Sequence, residues 1–599
     1  MQENKFDKNQ LIGFGLMILL IIGYWYFTAP TPEKIKEVQK VENQVIEETK
    51  ELDKKEEQIQ QTDVSSNVPA QTFTLQNDKV LIELTNKGAQ INKVELKEYK
   101  AYNHKTNDDD LPLYLFDGNN ANFSLKINDR EGRLIDLSKR TFSAKQEGNS
   151  VIFTTQENGG TIQYTYTLNG DYDLDFSVRS QGLNKISTDK IAQIDFEMNA
   201  ISQEKGLAWE KRVTDIHYSL NGYKEKGYTR GNEVLDDDDK LDWVAFKQQF
   251  FTTILEPKVA FDNAVMSVED DPKEDTKHSK TFTFNSKMNV NGELNESYTW
   301  HFFPLDFKML KGYKKDFQHI IPFGWGIFGW INEWAILPTF LFMASWGLKY
   351  GWVIALLTIV VKLVTSPIMY KQYKQSAMMK VLKPDIEELN EKYKGKDNQM
   401  KRQQETMKLY RTAGVNPLAG CLPALLQIPI FYALFNFFPN VIDLRAKGFL
   451  WADDLTAYDS IVELPFHIPF YGGHVSLFAL LYVVTMVIYF KFSGNMMQTP
   501  KQEGMPDMRI MMYIMPIFFI FFLNSYASGL SWYYFVSNAI NIGLVLLIKN
   551  VLIDDEKIHA KIQQNKKNPK KRKKSKWQER LDQAMKQAQE QQKLKNQGK

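Results

Sequence analysis

One cysteine, Cys421, occurs in 599 residues, so no disulfide can close within the chain and no cysteine cluster can hold a metal. It lies in an apolar stretch, where a small buried thiol is the ordinary reading. The eight histidines are scattered, and neither an H-E-x-x-H pair nor a Walker A run is present. Gly324-Trp325-Gly326-Ile327-Phe328-Gly329 has the glycine spacing of a dinucleotide loop, but it follows no strand and sits among tryptophans, so it is rejected as a nucleotide site. The acidic run Asp236–Asp239 lacks the glycine and the closing glutamate of a calcium loop and reads as a solvated turn. Nothing here marks an enzyme, a metal site or a cofactor.

Average hydrophobicity is also missing. Mean hydropathy is −0.38 and the net charge is +2, values of an ordinary soluble protein. The averages conceal a segregation, because residues 1–28 and 323–550 are apolar and aromatic while residues 30–313 are polar. Crossing a bilayer takes ~20 apolar residues per helix, since no water inside can satisfy the backbone. Leu11–Phe27, preceded by Lys5 and Lys8, is the first such segment. Bulky Phe27 and Pro30 spoil a signal-peptidase site, so the segment reads as an uncleaved anchor. A charged run over Pro32–Gln71 follows, with too little apolar surface to fold alone.

From Thr72 the period changes to two. Ile162, Tyr164, Tyr166 and Leu168 alternate, Asn169-Gly170-Asp171 turns, and Tyr172, Leu174, Phe176 and Val178 alternate again, which predicts a tight hairpin. Thr281–Phe284 and Ser297–His301 predict a second pair around Asn291-Gly292. Many short strands with Gly and Asn turns argue a large antiparallel β-sandwich. Trp325, Trp330, Trp334 and Trp346 then mark a helix lying in a membrane interface. Five further spans are expected at Gly351–Met369, Leu418–Phe438, Val475–Phe492, Ile510–Leu523 and Leu530–Ile548.

Six spans in all put both termini on one side, and basic residues identify it. The stretch Lys371–Arg411 carries eleven lysines and arginines, whereas Asn440–Gly473 carries only Arg445 and Lys447. The tail holds Lys566-Lys567 and the run Lys570–Lys574. The termini and the basic loop are therefore expected in the cytoplasm and the β-domain outside. Within the basic loop, Ile386, Leu389 and Tyr393 form one thin apolar stripe and Met400, Met407 and Tyr410 another, predicting a loosely packed helical hairpin.

Lys362 lies about 16 Å along its helix from the outer end, and no other span carries Asp or Glu to pair with it. A lysine at that depth costs about 2.5–3.5 kcal/mol. Two outcomes stand open on physics alone. The stem can snorkel towards the interface, or the ammonium can sit in a wet groove open to the cytoplasm. Thr358 shares the face of Lys362, and Gln427, Asn436, Asn524, Asn538 and Asn541 lie on other spans, where polar groups should point inward. Pro423, Pro429 and Pro516 interrupt helix ladders.

The densest signature is Tyr410–Phe435, YRTAGVNPLAGCLPALLQIPIFYALF. With Asn416-Pro417-Leu418, Gly420-Cys421, Pro423, Gln427, Pro429-Ile430-Phe431 and Ala433-Leu434 it resembles the run that opens the third membrane helix of the YidC/Oxa/Alb insertases, the form of didermic bacteria in particular. Ser528-Gly529-Leu530, Tyr533-Tyr534 and Val536-Ser537-Asn538 resemble the family's last helix, and Gly351–Tyr370, with Pro367, its second. Lys380, Leu382 and Pro384 resemble the start of its cytoplasmic hairpin. The likeness is dense over residues 325–549, whereas the β-domain matches chiefly in architecture and in the turn at Asn86-Lys87-Gly88-Ala89.

This resemblance implies a substrate groove holding Lys362, Thr358, Gln427, Phe431, Tyr533, Tyr534 and Asn538. The family's usual arginine is replaced here by lysine, which keeps the charge but not the planar fork. The family often has proline before Ser528-Gly529, where this chain has Ala527. Implied partners are nascent membrane proteins, the Sec translocon with its SecD/SecF accessory, the ribosome and the signal recognition pathway; the basic tail suits anionic lipid or ribosomal RNA. The β-domain looks like a sandwich of the sugar-mutarotase type.

The expected architecture is thus a multi-domain membrane protein: an anchor (1–28), a tether (29–71), a periplasmic β-sandwich (72–320), an all-α insertase core (321–549) containing a cytoplasmic hairpin (370–415), and a basic tail (550–599). The anchor and five core helices make six spans. A channel or secondary transporter would need a continuous polar path or inverted repeats, and neither is visible. A sugar-binding domain on an anchor would leave five helices unexplained.

Overall fold

The computed structural model describes residues 69–235, 238–270, 277–290, 292–395, 398–415, 422–469, 471–494, 508–552 and 554–567. The expected anchor, nearly all of the tether, Asn416–Cys421, the loop between the expected fourth and fifth spans and most of the basic tail lie outside the described residues. The chain forms two compact units, one running to Pro322 and including Pro439–Lys447, the other starting at Phe323.

The first unit is antiparallel β. A four-stranded sheet is formed by Thr72–Gln76, Val80–Thr85, Gln90–Asn103 and Asp108–Asp117; nine- and six-stranded sheets follow. Gly160–Asn169 pairs with Asp173–Gln181, Asn169 facing Asp173, and Gly170 turns with φ +79°, as the Asn-Gly signal requires. Ile162, Tyr164, Tyr166, Leu168, Leu174, Phe176 and Val178 all point into the core. At the family-like turn, Gly88 and Ala89 both take positive φ.

The second expected hairpin does not form. His278–Asn289 pairs with Ile191–Ile201 and Ala264–Asp270 in the six-stranded sheet, while Asn295–Pro304 pairs with Asp173–Gln181 and Phe251–Pro257 in the nine-stranded one. Between them Val290 and Leu294 are buried. The Val290 N–H bonds the Lys190 carbonyl, and Leu294 exchanges bonds with Ser180, so the connection crosses from one sheet to the other. Alternation identifies a strand and its buried face but not its neighbour. The two large sheets lie face to face: Phe196 meets Phe246 at 4.7 Å and Trp300 at 5.1 Å, and Phe123 meets Phe176 at 5.4 Å. Such pairs add about 0.5–1.5 kcal/mol each beyond the area they bury.

Charges buried in this unit are paired. Lys247 is fully buried, donates to the Val213 carbonyl and lies 3.4 Å from Asp215. Burial alone would raise the Asp215 carboxyl, but Lys247, His217 and Arg230 hold it well below the usual range. His301 is clamped between Asp173 (2.7 Å) and Glu256 (2.9 Å), and Lys315 bonds the same Glu256 oxygen at 2.6 Å. Arg445 reaches both oxygens of Glu204 at 2.9 Å.

The second unit is helical. Ile327–Ala344, Tyr350–Val381 and Ser528–Val551 are long and apolar enough to cross a membrane. The first contains a π-helical turn at Asn332–Ile336. It exposes Trp330 and Trp334, with Trp325 and Trp346 exposed just beyond its ends. Shorter apolar helices lie at Leu422–Phe437, Leu477–Gly494 and Met508–Leu523. Helix Tyr350–Val381 is about 48 Å long at 1.5 Å per residue, so it continues well past a hydrocarbon layer of about 30 Å.

The basic loop forms helices Lys383–Lys392 and Gln399–Ala413. The base of this hairpin is better packed than its thin stripes suggest. Ile386, Tyr410 and Ala413 join Tyr373 from the long helix and Ile558 and Ile562 from helix Asp555–Lys567 in one apolar cluster. Lys566 pairs with both Asp385 oxygens at 2.9 Å, and Asn565 donates to the Ala413 carbonyl at 2.9 Å. Helix Asp555–Lys567, expected as part of the tail, supplies two residues of this core.

Candidate functional site

Lys362 is 4 % exposed on helix Tyr350–Val381. Its ammonium has no hydrogen-bond or ion-pair partner among the described residues, and no other buried charged side chain there is left so. Thr358, one turn away, is fully buried, but its hydroxyl is spent on the Ile354 carbonyl at 2.7 Å. Pro367 removes the N–H that would reach the Leu363 carbonyl, and the Ser366 hydroxyl takes that acceptor at 2.9 Å. The helix therefore continues through its proline with the acceptor satisfied.

Helices Leu422–Phe437 and Ser528–Leu547 pack on the long helix. Phe431 stacks on Tyr534 at 5.2 Å, with planes 22° apart, and the Tyr534 hydroxyl reaches the Phe431 carbonyl at 3.5 Å. Tyr482, which sequence reasoning did not single out, meets Tyr534 at 5.5 Å with planes 47° apart. Tyr533 is fully buried beside Phe438. Its hydroxyl, Ser531 Oγ, Asn538 Nδ2 and Asn541 Oδ1 are buried atoms of this one helix without a hydrogen-bond partner. A buried polar atom left unpaired costs about 1–3 kcal/mol, which water or a polar guest would recover. Gln427 is half-buried.

Not every polar residue expected to point inward belongs to this surface. Asn524 is built into the chain's own turns: its Nδ2 donates to the Tyr471 and His474 carbonyls and its Oδ1 accepts from the Ser476 N–H. Asn436 donates to the Tyr432 carbonyl within its own helix. An asparagine in a span is legible in sequence, but whether backbone groups of a nearby turn consume it is not. Asn332 is fully buried and ties Phe323 O (2.8 Å) to Ala433 O (2.7 Å).

The structural motif residues divide in the same way. Gly529 starts the last helix against the segment Asp454–Ala457: its N–H bonds the Leu455 carbonyl at 2.9 Å, and a Cβ would stand 2.8 Å from that oxygen. Ser528 bonds the Ala457 and Asp454 carbonyls in the same segment. Close approach of backbone to backbone is what demands glycine here. Pro429 lies inside helix Leu422–Phe437. Asn416, Pro417, Gly420 and Cys421 lie outside the described residues, as does the side chain of Pro423.

Residues 72–336 match the YidC periplasmic domain and residues 341–557 the 60Kd inner membrane protein family. A membrane protein insertase YidC of Parabacteroides distasonis is 34 % identical over 98 % of both chains. The chain belongs to the YidC family of membrane protein insertases. Another YidC, from Bacteroides fragilis, is 33 % identical over 98 % of both chains. Among solved structures, an active YidC insertase with its first transmembrane domain resolved matches 80 % of this chain and 92 % of its own at 17 % identity and a TM-score of 0.32. Membership in the YidC family makes this a multi-pass inner-membrane insertase with a periplasmic domain, and not an enzyme.

Proposed function

We propose that insertion runs through a hydrated, cationic groove open to the cytoplasm, with Lys362 as its single charge and Thr358, Gln427, Phe431, Tyr533, Tyr534 and Asn538 as its lining. The observation that carries this reading is the coincidence of one unpaired buried ammonium with the unpaired polar atoms of Tyr533, Asn538 and Asn541. Water in such a groove recovers their solvation, and an entering acidic or polar segment replaces that water. The apolar part of the substrate then leaves sideways past Phe431 and Tyr534 into lipid, driven by transfer of its own side chains. No nucleotide enters the cycle.

The reading includes six spans, formed by the segment at 11–27 and five core helices, with both termini and the basic hairpin in the cytoplasm and the β-sandwich outside. The layout is anchor 1–28, tether 29–71, periplasmic domain 72–320, core 321–549 and tail 550–599. Lysine asymmetry between Lys371–Arg411 and Asn440–Gly473 supports that orientation. Nascent membrane proteins are the substrates; the Sec translocon with SecD/SecF, the ribosome and the signal recognition pathway are partners, and the basic tail meets anionic lipid. A photo-crosslinking amino acid at Thr358 or Tyr533 should capture a membrane protein during its translation. Normal insertion without any adduct at either position would exclude the groove as the route.

A further inference from the structure

Residues Val462–Ile468 and Gly472–Val475 form a two-stranded hairpin between helices Leu422–Phe437 and Leu477–Gly494. Its base is rigidly fastened. The His474 ring stacks on Tyr458 at 3.8 Å and bonds the Asn524 carbonyl at 2.8 Å. Asp459 accepts from Trp451 Nε1, Ser476 Oγ and the Phe478 N–H. At the far end of the hairpin, the Tyr471 carbonyl accepts from Asn524 and Ser525. Polar atoms at the base are thus consumed internally.

The outer strand is different. Val462, Leu464, Phe466 and Ile468 alternate in sequence with Glu463, Pro465 and His467, although the ladder slips between Glu463 and Ile468. Phe466 is 62 % exposed, Val462 50 % and the adjoining Ile461 43 %. The Tyr471 ring meets Phe521 at 5.8 Å. Phe521 belongs to the exposed row Phe518, Phe521 and Phe522 on helix Met508–Leu523. An exposed phenylalanine row on a helix of a multi-pass membrane protein suits contact with acyl chains, and through Tyr471 the hairpin adjoins that row at the C-terminal end of its helix.

We infer that the hairpin Val462–Val475 is a lipid-binding element that sets Phe466 into the outer leaflet, with Glu463 and His467 at the headgroup level. Strand residues normally avoid lipid because unpaired backbone groups are costly there, so only side chains reach the acyl region while the short ladder stays at the interface. Fastened at Asp459, His474 and Asn524, the element fixes the depth at which helices Leu477–Gly494 and Met508–Leu523 sit in the bilayer. This inference rests on the proposed orientation, in which the hairpin faces the periplasm.

The test uses the full-length chain in its native membrane. A benzophenone amino acid replaces Phe466 in one variant and Glu463 in another, and adducts are identified by mass after irradiation. Phospholipid adducts several-fold more abundant at position 466 than at 463 are expected. A protein adduct at 466, including one to a second copy of this chain, or equal lipid adduct at both positions, overturns the proposal. Orientation is read separately, from an azide-bearing residue at 463 and a membrane-impermeant alkyne added to spheroplasts. Labelling only after the membrane is opened would overturn the orientation, and with it the outer-leaflet assignment, even if lipid adducts form.

Discussion

Replacing Lys362 by methionine keeps a long flexible stem and removes the charge, and the two states of the groove give different outcomes. Were the ammonium dry, its removal would return the insertion penalty of about 2.5–3.5 kcal/mol as added stability. A hydrated ammonium has already recovered most of that solvation, so the expected gain is below about 1 kcal/mol by the same scale. Activity should respond far more. A substrate carboxylate ~8 Å from the ammonium is attracted by about 2 kcal/mol at an effective dielectric of ~20. Losing that attraction slows entry of an acidic segment about 30-fold, at about 1.4 kcal/mol per decade. The assay is translation of an acidic-tailed membrane protein in the presence of proteoliposomes, scored by protease protection, beside thermal unfolding of the same preparations. Lys362→Arg should retain insertion and Lys362→Glu lose it. Full activity of the glutamate variant, or a Lys362→Met chain stabilised by the whole insertion penalty, would refute the hydrated-charge argument.

Three further outcomes follow from packing and titration. Gly529→Ala should destabilise the chain by about 1–3 kcal/mol, because its Cβ would press on the Leu455 carbonyl; an unchanged unfolding temperature would contradict this. Ile562→Ala, at a side chain 1 % exposed, should cost about 2–5 kcal/mol locally and raise hydrogen exchange over residues 383–413; undiminished protection there would show that helix Asp555–Lys567 does not brace the hairpin. Burial pushes the His301 imidazole down, but Asp173 and Glu256 outweigh it and raise the group above 6.5. Burial raises Glu256, and His301 and Lys315 outweigh it and hold the carboxyl below 4.5. The His301 contribution is therefore complete below pH 6.5 and fades as pH rises through the raised value, and the Glu256 contribution is complete above pH 4.5 and fades as pH falls through the lowered one. Denaturant titrations from pH 3 to 9 should show His301→Gln losing the alkaline decline; a decline of wild-type size in that variant would contradict the assignment.

What could be read from the residues tracks the range of the interaction that decides each feature. The hairpin at Asn169-Gly170 was legible because turn chemistry and alternation are local. The separation of His278–Asn289 from Asn295–Pro304 was not, because it depends on Val290 and Leu294 finding different sheets. Lys362 stood out through its depth in an apolar helix. The fates of Asn524 and Asn538 could not be distinguished, since one meets the carbonyls of Tyr471 and His474 and the other meets none. Helix Asp555–Lys567 was hidden because its apolar contribution reduces to Ile558 and Ile562, two residues one turn apart in a charged stretch.

Buried charge is treated differently in the two units. In the β-unit Lys247 meets Asp215, Arg445 meets Glu204 and His301 meets two carboxylates; even Glu210, pushed up by burial and by Glu204, accepts two backbone N–H groups. A chain that pairs its buried charges there, where pairing holds a fold, leaves Lys362 unpaired in the helical unit, where an isolated charge is most costly. A single Asp or Glu on a helix packed against it would offer a counter-ion. That counter-ion would also neutralise the proposed groove and compete with an acidic substrate for the ammonium. Local sequence rules that fail at one position, against a background where they hold, mark a constraint other than stability. An unpaired charge in that place supports the proposal that a transient partner, the entering substrate, takes the missing one's role.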